Sequence, residues 1–261
     1  MLAAETARAT ARHFHIVAVD QADIDPAAFV SRHGEDYAAI IFLRDSAVEA
    51  LPFPKAAFNA VISQYGIEYS DLEHSVPEAA RLVASGGRVR FVVHAADGGV
   101  AEHAQIVIAE ADLLLDEIDL PGAAARCFTA VLAVEREPHA GAPAAADAAF
   151  VGFQAALERT AAQIEKAEDQ VMFRNSGAVL LDTYQRRMHF DLDQLLAKAA
   201  EVKGEIVAHR GRLQALVDAA LDEAGARDLA ERFRALGAVW CNSRPLENAA
   251  GLIGHVVEAT F

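Results

Sequence analysis

One carboxylate, Asp20, lies where it can bind a nucleotide sugar. It ends the apolar run from Phe14 to Asp20, which reads as a buried strand. An acid at the carboxyl end of a parallel strand can accept hydrogen bonds from a ribose diol, because open sheets bind ligands outside those strand ends. The alternative is that Asp20 caps a helix or forms a turn, as aspartates after strands often do.

Histidines and cysteines are the other residues that could carry chemistry. The 10 histidines show no His-Glu-x-x-His or similar ligand spacing, so the pattern does not favour a metal site. His74 and His94 follow predicted strands and could act as bases, although an exposed or hydrogen-bonded histidine is the commoner case. Cys127 and Cys241 are too far apart to indicate a disulfide scaffold or a zinc site, and each is expected to be a small buried residue.

The elements that must position these residues alternate in the first third of the chain. Four apolar runs predict strands, and a helix with Ser85-Gly86-Gly87 as its stop precedes the last of them. The predicted strands are 14–20, 38–43, 58–63 and 88–94, and the predicted helix is 77–84. This alternation is typical of a parallel sheet covered by helices, an α/β fold.

From about residue 101 the pattern becomes alanine-rich and helical. The segment 144–173 has apolar residues at helical spacing, and a second stripe covers 179–221, where we expect Gly204 and Gly211 to break the helix. The loop 138–143 is expected to link helices. Residues 238–241 and 252–261 return to strand character and predict a closing pair of strands.

Composition excludes some functions. Acidic residues outnumber basic ones 38 to 23, giving a net charge of −15, which opposes binding to phosphate backbones. We therefore expect no nucleic acid partner. The sequence also has neither a signal peptide pattern nor an apolar run long enough to span a bilayer, so we expect a soluble, cytoplasmic protein without a membrane partner.

The order of these elements resembles class I S-adenosylmethionine-dependent methyltransferases. The resemblance rests on an acid after each of two strands (Asp20, Asp45), a Leu-Pro-Phe turn at 51–53, the strand 58–63 and a Gly-Gly-Arg entry at 86–88. It covers roughly residues 14–95, and the terminal strand pair resembles the antiparallel hairpin that closes the family's sheet. It implies a Rossmann-like sheet over residues 1–100, a helical insertion or cap over 101–205, and the last helices and closing strands over 206–261.

The resemblance also implies which residues bind the cofactor S-adenosylmethionine. Asp20 would bind the ribose, Gln21 would lie beside the adenine, and Asp45 and Ser46 would edge the adenine ring. Three residues leaving the next strand would line the methionine end and face the substrate: Ser63, Gln64 and Tyr65. The alternatives are an ordinary loop acid for Asp45 and a core or loop residue for Gln64 and Tyr65.

Two features depart from the family pattern. Asn59 stands where an acid is usual, which affects a surface contact. The larger departure is that no first strand with a Gly-x-Gly-x-Gly turn precedes His13, although the cofactor needs the close backbone approach that such a turn allows. Residues 2–10 resemble the helix that follows this turn. We therefore expect the true start to lie upstream, and cofactor binding by the sequence as printed to be impaired.

The sequence predicts a methyltransferase acting on an oxygen, nitrogen or carbon nucleophile of an unidentified acceptor, which we expect to be a small molecule. The resemblance identifies no catalytic residue, and methyl transfer can proceed by aligned approach alone. The helical insertion would serve as a lid over the acceptor or as a homodimer surface. Two alternatives are a nicotinamide-dependent oxidoreductase, which the Gly-Gly-Arg entry and closing hairpin disfavour, and a non-catalytic helical interaction protein on a degenerate methyltransferase fold.

Overall fold

The structure is a computed structural model that describes residues 14–24, 26, 40–136 and 142–261. The chain divides into two compact units, which we call the sheet unit (residues 1–95 and 221–261) and the helical unit (residues 96–220). The predicted helix at 2–10 and most of the predicted loop at 138–143 lie outside the described residues.

In chain order the described strands and helices are β1 Ile16–Val19, β2 Ile40–Leu43, β3 Phe58–Gln64, α1 Leu72–Leu82, β4 Val83–His94, α2 Gly99–Asp112, α3 Leu120–Arg136, α4 Pro143–Ala161, α5 Gln170–Gln185, α6 Leu192–Ala219, α7 Glu223–Ala235, β5 Trp240–Asn248 and β6 Gly251–Thr260. Short helical turns at Ile67–Tyr69, Leu113–Glu117 and Arg187–His189 complete this set.

The strands form two sheets, and the predicted α/β class is confirmed. Strands β1 and β2 make a parallel pair, and the other four follow the order β3-β4-β6-β5. Strand β3 is parallel to β4, whereas β6 is antiparallel to both β4 and β5. The predicted closing pair is therefore present as the antiparallel hairpin β5–β6. Among the described residues no strand joins the β1–β2 pair to the four-stranded sheet. The predicted first strand stays an expectation.

The core of the sheet unit lies between the four-stranded sheet and helices α1 and α7. Alternate residues of β4 and β6 share one face, so that Phe91 lies opposite Val257 in the strand pairing. Phe91 and Phe233 of α7 are fully buried, and their ring centroids are 5.5 Å apart. Burial of large apolar side chains on one face is what holds these helices on the sheet.

Helix α1 begins earlier than its sequence pattern indicates. The pattern predicts a start at Pro77, but Pro77 lies inside the helix, which begins at Leu72. The reason is the N-cap Asp71, whose carboxylate accepts a hydrogen bond from the backbone N–H of Glu73 at 3.0 Å. Capping by aspartate supplies the start signal, and it outweighs the preference of proline for a first turn.

The predicted stop Ser85-Gly86-Gly87 belongs instead to the irregular start of β4. Gly86 has φ of 76°, and a Cβ added to Gly87 would lie 2.7 Å from the carbonyl oxygen of Ala84 and 2.9 Å from that of Asn59. Only glycine allows the backbone of β4 to approach β3 this closely.

The loop between β2 and β3 is tied to α1. The Arg81 guanidinium bonds Glu78 (Nε to Oε2, 2.6 Å) and donates from Nη1 to the carbonyl oxygen of Phe53 at 2.8 Å. Glu78 in turn accepts from the backbone N–H of Leu51 at 2.8 Å. The hydrogen bond from Arg81 lowers the pKa of Glu78 below its usual range. The predicted turn at 51–54 is thus held by a charged pair.

The helical unit packs α2 to α6 around an apolar core whose largest fully buried members include Leu114, Phe128, Phe153, Phe173 and Leu195. The predicted helical segment 144–173 is two helices, because α4 ends at Ala161 and α5 begins at Gln170. None of the described helices has both the length and the apolar composition required to cross a membrane.

The expected breaks at Gly204 and Gly211 do not occur, since α6 runs unbroken from Leu192 to Ala219. Buried Val202 and Ile206 face the core of the helical unit, and their packing outweighs the cost of about 1 kcal/mol for each exposed helical glycine. As a result the structure places residues 206–219 in the helical unit, whereas the sequence boundary assigns them to the sheet domain.

Candidate active site at the carboxyl ends of the parallel strands

Two neighbouring strand ends bring Asp20 and Ser46 together. The backbone N–H of Asp20 donates to the Leu43 carbonyl oxygen at 3.1 Å, and the N–H of Ser46 donates to the Asp20 carbonyl oxygen at 3.0 Å. These bonds extend the parallel pairing of β1 and β2 past the last strand residues. The Asp20 side chain is exposed, and its Oδ1 accepts from the N–H of Ala22 at 2.9 Å. Its orientation is therefore fixed by a local turn.

The other predicted nucleoside residues lie beside it. Gln21 and Asp45 are exposed, and Asp45 adopts φ of 51°. Ser46 donates from Oγ to the carbonyl oxygen of Arg44 at 2.8 Å. A positive φ is uncommon for a residue other than glycine, although aspartate tolerates it better than most. We refer to Asp20, Gln21, Asp45 and Ser46 as the nucleoside group.

A second group gathers at the end of β3. Ser63 accepts at Oγ from the backbone N–H of Ile67 at 2.9 Å, which closes the turn after the strand. Gln64 is exposed at the last strand position. Tyr65 has φ of 55°, and its backbone N–H donates to the carbonyl oxygen of Val92 at 2.7 Å. The turn therefore directs the chain over the end of β4.

Tyr65 of this second group, together with Glu68 and Tyr69 of the following turn, contacts His94, the last residue of β4. His94 Nδ1 lies 2.9 Å from Glu68 Oε1, which also accepts from the His94 backbone N–H at 3.2 Å. The Tyr65 ring lies over the imidazole at a centroid distance of 4.3 Å and an angle of 32°. Tyr69 meets it edge-on at 6.2 Å. We call Tyr65, Glu68, Tyr69 and His94 the histidine cluster.

Burial sets the electrostatics of this cluster. The side chain of Glu68 is 0% exposed and that of His94 is 11% exposed. Glu68 Oε2 is a buried oxygen with no hydrogen bond partner in the described part of the chain. Burial, and then the charge of Glu68, raise the pKa values of Tyr65 and Tyr69 above the ordinary value of 10.0. Both tyrosines therefore keep their hydroxyl protons at neutral pH.

Gly254 of β6 lies beside the histidine cluster, next to His94 and Tyr65. It is the pairing partner of His94, and a Cβ at this position would lie 2.5 Å from the Val93 carbonyl oxygen. The same Cβ would lie 3.4 Å from Cε1 of Tyr65. The absence of a side chain at Gly254 lets the tyrosine ring pack against the sheet.

The structure joins the predicted residues into two groups rather than one. Among the described residues, no hydrogen bond, ion pair or ring contact links the nucleoside group to Ser63, Gln64 or Tyr65. Sequence reasoning missed Glu68 and Tyr69, which lie in the single helical turn Ile67–Tyr69 after β3. His74, the other predicted base, lies at the start of α1 on the surface, where its Nδ1 is 2.7 Å from Asp71 Oδ2 and its side chain is 71% exposed.

Neither cysteine belongs to these groups. Cys127 is buried in the helical unit, and burial raises the pKa of its thiol to about 11. Cys241 of β5 is also buried, and its Sγ lies 3.1 Å from Nη2 of Arg234. In the described ranges no three His, Cys, Asp or Glu side chains are grouped so that they could hold a metal ion.

The nucleoside group has the chemistry that an adenosine moiety requires. A ribose diol needs an acceptor, and Asp20 presents an exposed carboxylate whose Oδ2 makes none of the hydrogen bonds described for this residue. An exocyclic amine also needs an acceptor, which the exposed Asp45 can supply. The printed sequence contains no Gly-x-Gly-x-Gly turn.

A family model described as a methyltransferase domain matches residues 3–91. The matched region includes the nucleoside group, Ser63, Gln64 and every residue of the histidine cluster except His94. The match supports the prediction of a methyltransferase domain over this part of the chain. No curated protein matches the chain.

Two solved structures are similar to the chain. One is a chain from the complex of the Haloferax volcanii Trm112 methyltransferase activator with a methyltransferase, at 21% identity and a TM-score of 0.29. That match covers 36% of this chain and 41% of the other, so it spans about two fifths of that protein. The other is the YcgJ protein of Bacillus subtilis, at 16% identity and a TM-score of 0.32, with 98% of this chain and 87% of that chain covered.

Proposed function

We propose that the chain transfers a methyl group from S-adenosylmethionine to a small acceptor molecule. The observation that carries this proposal is the methyltransferase-domain match over residues 3–91, which includes the ends of β1, β2 and β3. When bound, S-adenosylmethionine supplies an electrophilic methyl group on a positively charged sulfur.

In this proposal the nucleoside group holds the adenosine moiety. Asp20 accepts from the ribose hydroxyls, Gln21 lies beside the adenine, and Asp45 and Ser46 contact its edge. Ser63, Gln64 and Tyr65 line the methionine end and face the acceptor. Ligand binding at the carboxyl ends of parallel strands supports this arrangement, because both groups lie at such ends.

Calorimetric titration with S-adenosylhomocysteine tests the role of Asp20. We expect Asp20→Ala to weaken binding by about 10- to 100-fold, because a hydrogen bond to a charged group contributes on the order of 1.5–3 kcal/mol. The matched control is Asp23→Ala, which removes an exposed carboxylate from the same loop, paired to Arg44 at 3.0 Å. Equal affinities of the wild type and Asp20→Ala would remove Asp20 from the site.

The same titration separates the proposed methyltransferase from the alternative. Absence of S-adenosylhomocysteine binding would instead favour the non-catalytic interaction protein.

A further inference from the structure

The hydrogen bonds of Glu68 fix the proton position on His94. Glu68 Oε1 accepts the backbone N–H of His94 and lies 2.9 Å from the ring nitrogen Nδ1. Because a carboxylate oxygen accepts hydrogen bonds and has no proton to donate, this contact places the proton on Nδ1. The other ring nitrogen, Nε2, then carries the free lone pair. Among the described residues Nε2 has no hydrogen bond partner. It is also not among the buried atoms that lack a partner, so it is not fully buried.

The surrounding side chains hold this ring in place. Tyr65 covers one face at 4.3 Å, Tyr69 meets it edge-on, and the Glu68 side chain has no exposure to water. The buried carboxylate next to Nδ1 holds the imidazole in one orientation and one tautomer. The surface pair His74–Asp71 has the same bond but lacks the burial and the rings. The cluster thus has the parts of an oriented base, at the strand ends where ligands bind.

We propose that His94 is the general base of the methyl transfer, that Glu68 is its positioning residue, and that the acceptor carries a hydroxyl of the phenol class. This inference rests on the proposed function. In the step, the acceptor oxygen forms a bond to the methyl carbon, and the carbon–sulfur bond breaks with its electron pair passing to sulfur. The hydroxyl proton passes to His94 Nε2 and then to water.

The substrate class follows from what a base contributes. A phenol has a pKa near 10, as in tyrosine, so at neutral pH its oxygen must lose a proton to become a strong nucleophile. A neutral imidazole with a fixed Nε2 lone pair is suited to that task. A neutral amine already has a free lone pair and gains less from a base.

Histidine ring nitrogen NMR tests the geometry without any ligand. We expect His94 of the wild type to be in the Nδ1–H form. Glu68→Gln retains an oxygen acceptor and should keep that form, whereas Glu68→Leu removes it and should populate the Nε2–H form. A mixture of both forms in the wild type would overturn the assignment.

Rates of methyl transfer to 4-methylphenol, phenol and 4-nitrophenol test the chemistry. We expect His94→Asn to slow transfer to the two weakly acidic phenols by about 100- to 10,000-fold, the usual contribution of a general base. The loss on 4-nitrophenol, which is about half ionised near neutral pH, should be much smaller. Glu68→Gln should slow the three phenols in the same ranking as His94→Asn, but each loss should be smaller. His74→Ala should leave all three rates unchanged.

The outcomes separate the two proposals. Equal losses on all three phenols, or no transfer to any phenol by a wild type that binds S-adenosylhomocysteine, would overturn the base and its substrate class while leaving the methyltransferase assignment intact. A wild type that does not bind S-adenosylhomocysteine would overturn the proposed function and with it the catalytic role of His94. His94→Asn should bind S-adenosylhomocysteine as the wild type does.

Discussion

At the scale of single residues, Gly254 controls how closely Tyr65 approaches the sheet. We expect Gly254→Ala to destabilise the chain by about 1–3 kcal/mol, because overpacking forces the backbone or the ring to move. The added Cβ would meet the Val93 carbonyl oxygen at 2.5 Å, which no rotamer change relieves. Urea unfolding measures the loss, and the ring-current shifts of His94 report the displacement of the tyrosine.

The control for this prediction is Gly99→Ala at the start of α2, where an added Cβ meets no atom within 4 Å. It should leave stability nearly unchanged. If Gly254→Ala were equally neutral, the close packing of Tyr65 against β6 would be wrong.

The sequence could predict some of the candidate site residues and not others. Asp20 and Tyr65 follow apolar runs whose ends are readable, so the sequence pattern by itself predicts that both lie at strand ends. Glu68 has no such signal, because its contact with His94 depends on a single helical turn after β3 and on the register of β3 against β4. Neither feature has a periodicity that a sequence displays. The cofactor roles of the predicted residues stay predictions.

At the scale of elements, α6 offers a test of how packing outweighs propensity. Gly204 and Gly211 are exposed helical residues, and an added Cβ meets no atom within 4 Å at either one. We expect Gly204→Ala and Gly211→Ala each to stabilise the chain by about 0.5–1 kcal/mol, the helical preference of alanine over glycine. Urea unfolding followed by circular dichroism measures the gain.

The same substitution should have the opposite effect at Gly87, where the Cβ would contact two backbone oxygens at 2.7 and 2.9 Å. A gain at all three positions would contradict the close approach of β3 and β4.

The strands are more predictable than the helix boundaries. The apolar runs at 58–63 and 88–94 and the terminal pair correspond to β3, much of β4 and the hairpin β5–β6, because burial leaves a direct pattern in short strands. The helix ends depend on competing weak signals. Pro77 and Gly204 both suggest boundaries that the Asp71 cap and the packing of Val202 override.

At the scale of the whole molecule, the chain leaves the sheet unit after Ala95 and returns to it at Leu221, and these two residues are neighbours in the sheet unit. The backbone N–H of Leu221 donates to the His94 carbonyl oxygen at 2.9 Å, and Ala95 pairs with Leu221 in a parallel bridge. We expect a chain in which residues 97–219 are replaced by a linker of about four glycine and serine residues to keep the fold of the sheet unit, because inserted domains with close ends can be removed. Amide NMR of β4 and β6 checks this.

A second chain, residues 96–220 alone, provides the complement and should be helical by circular dichroism with a cooperative thermal transition. Its core of buried side chains lies within its own residues. Loss of β4–β6 pairing in the shortened chain would show that the sheet depends on the insertion.

The position of β6 dictates when the sheet can form during synthesis. This strand lies between β4 and β5, and its Thr260 pairs with Arg88 of β4. The β4–β6 pairing therefore cannot form until residues made long after β4 have been synthesised. The helices between them pack with local partners and can fold first on the ribosome. Until β6 arrives, one side of β4, which ends at His94, has no strand beside it. A nascent chain therefore gains its helical unit before the complete four-stranded sheet, and a chaperone that shields unpaired strands would act in that interval.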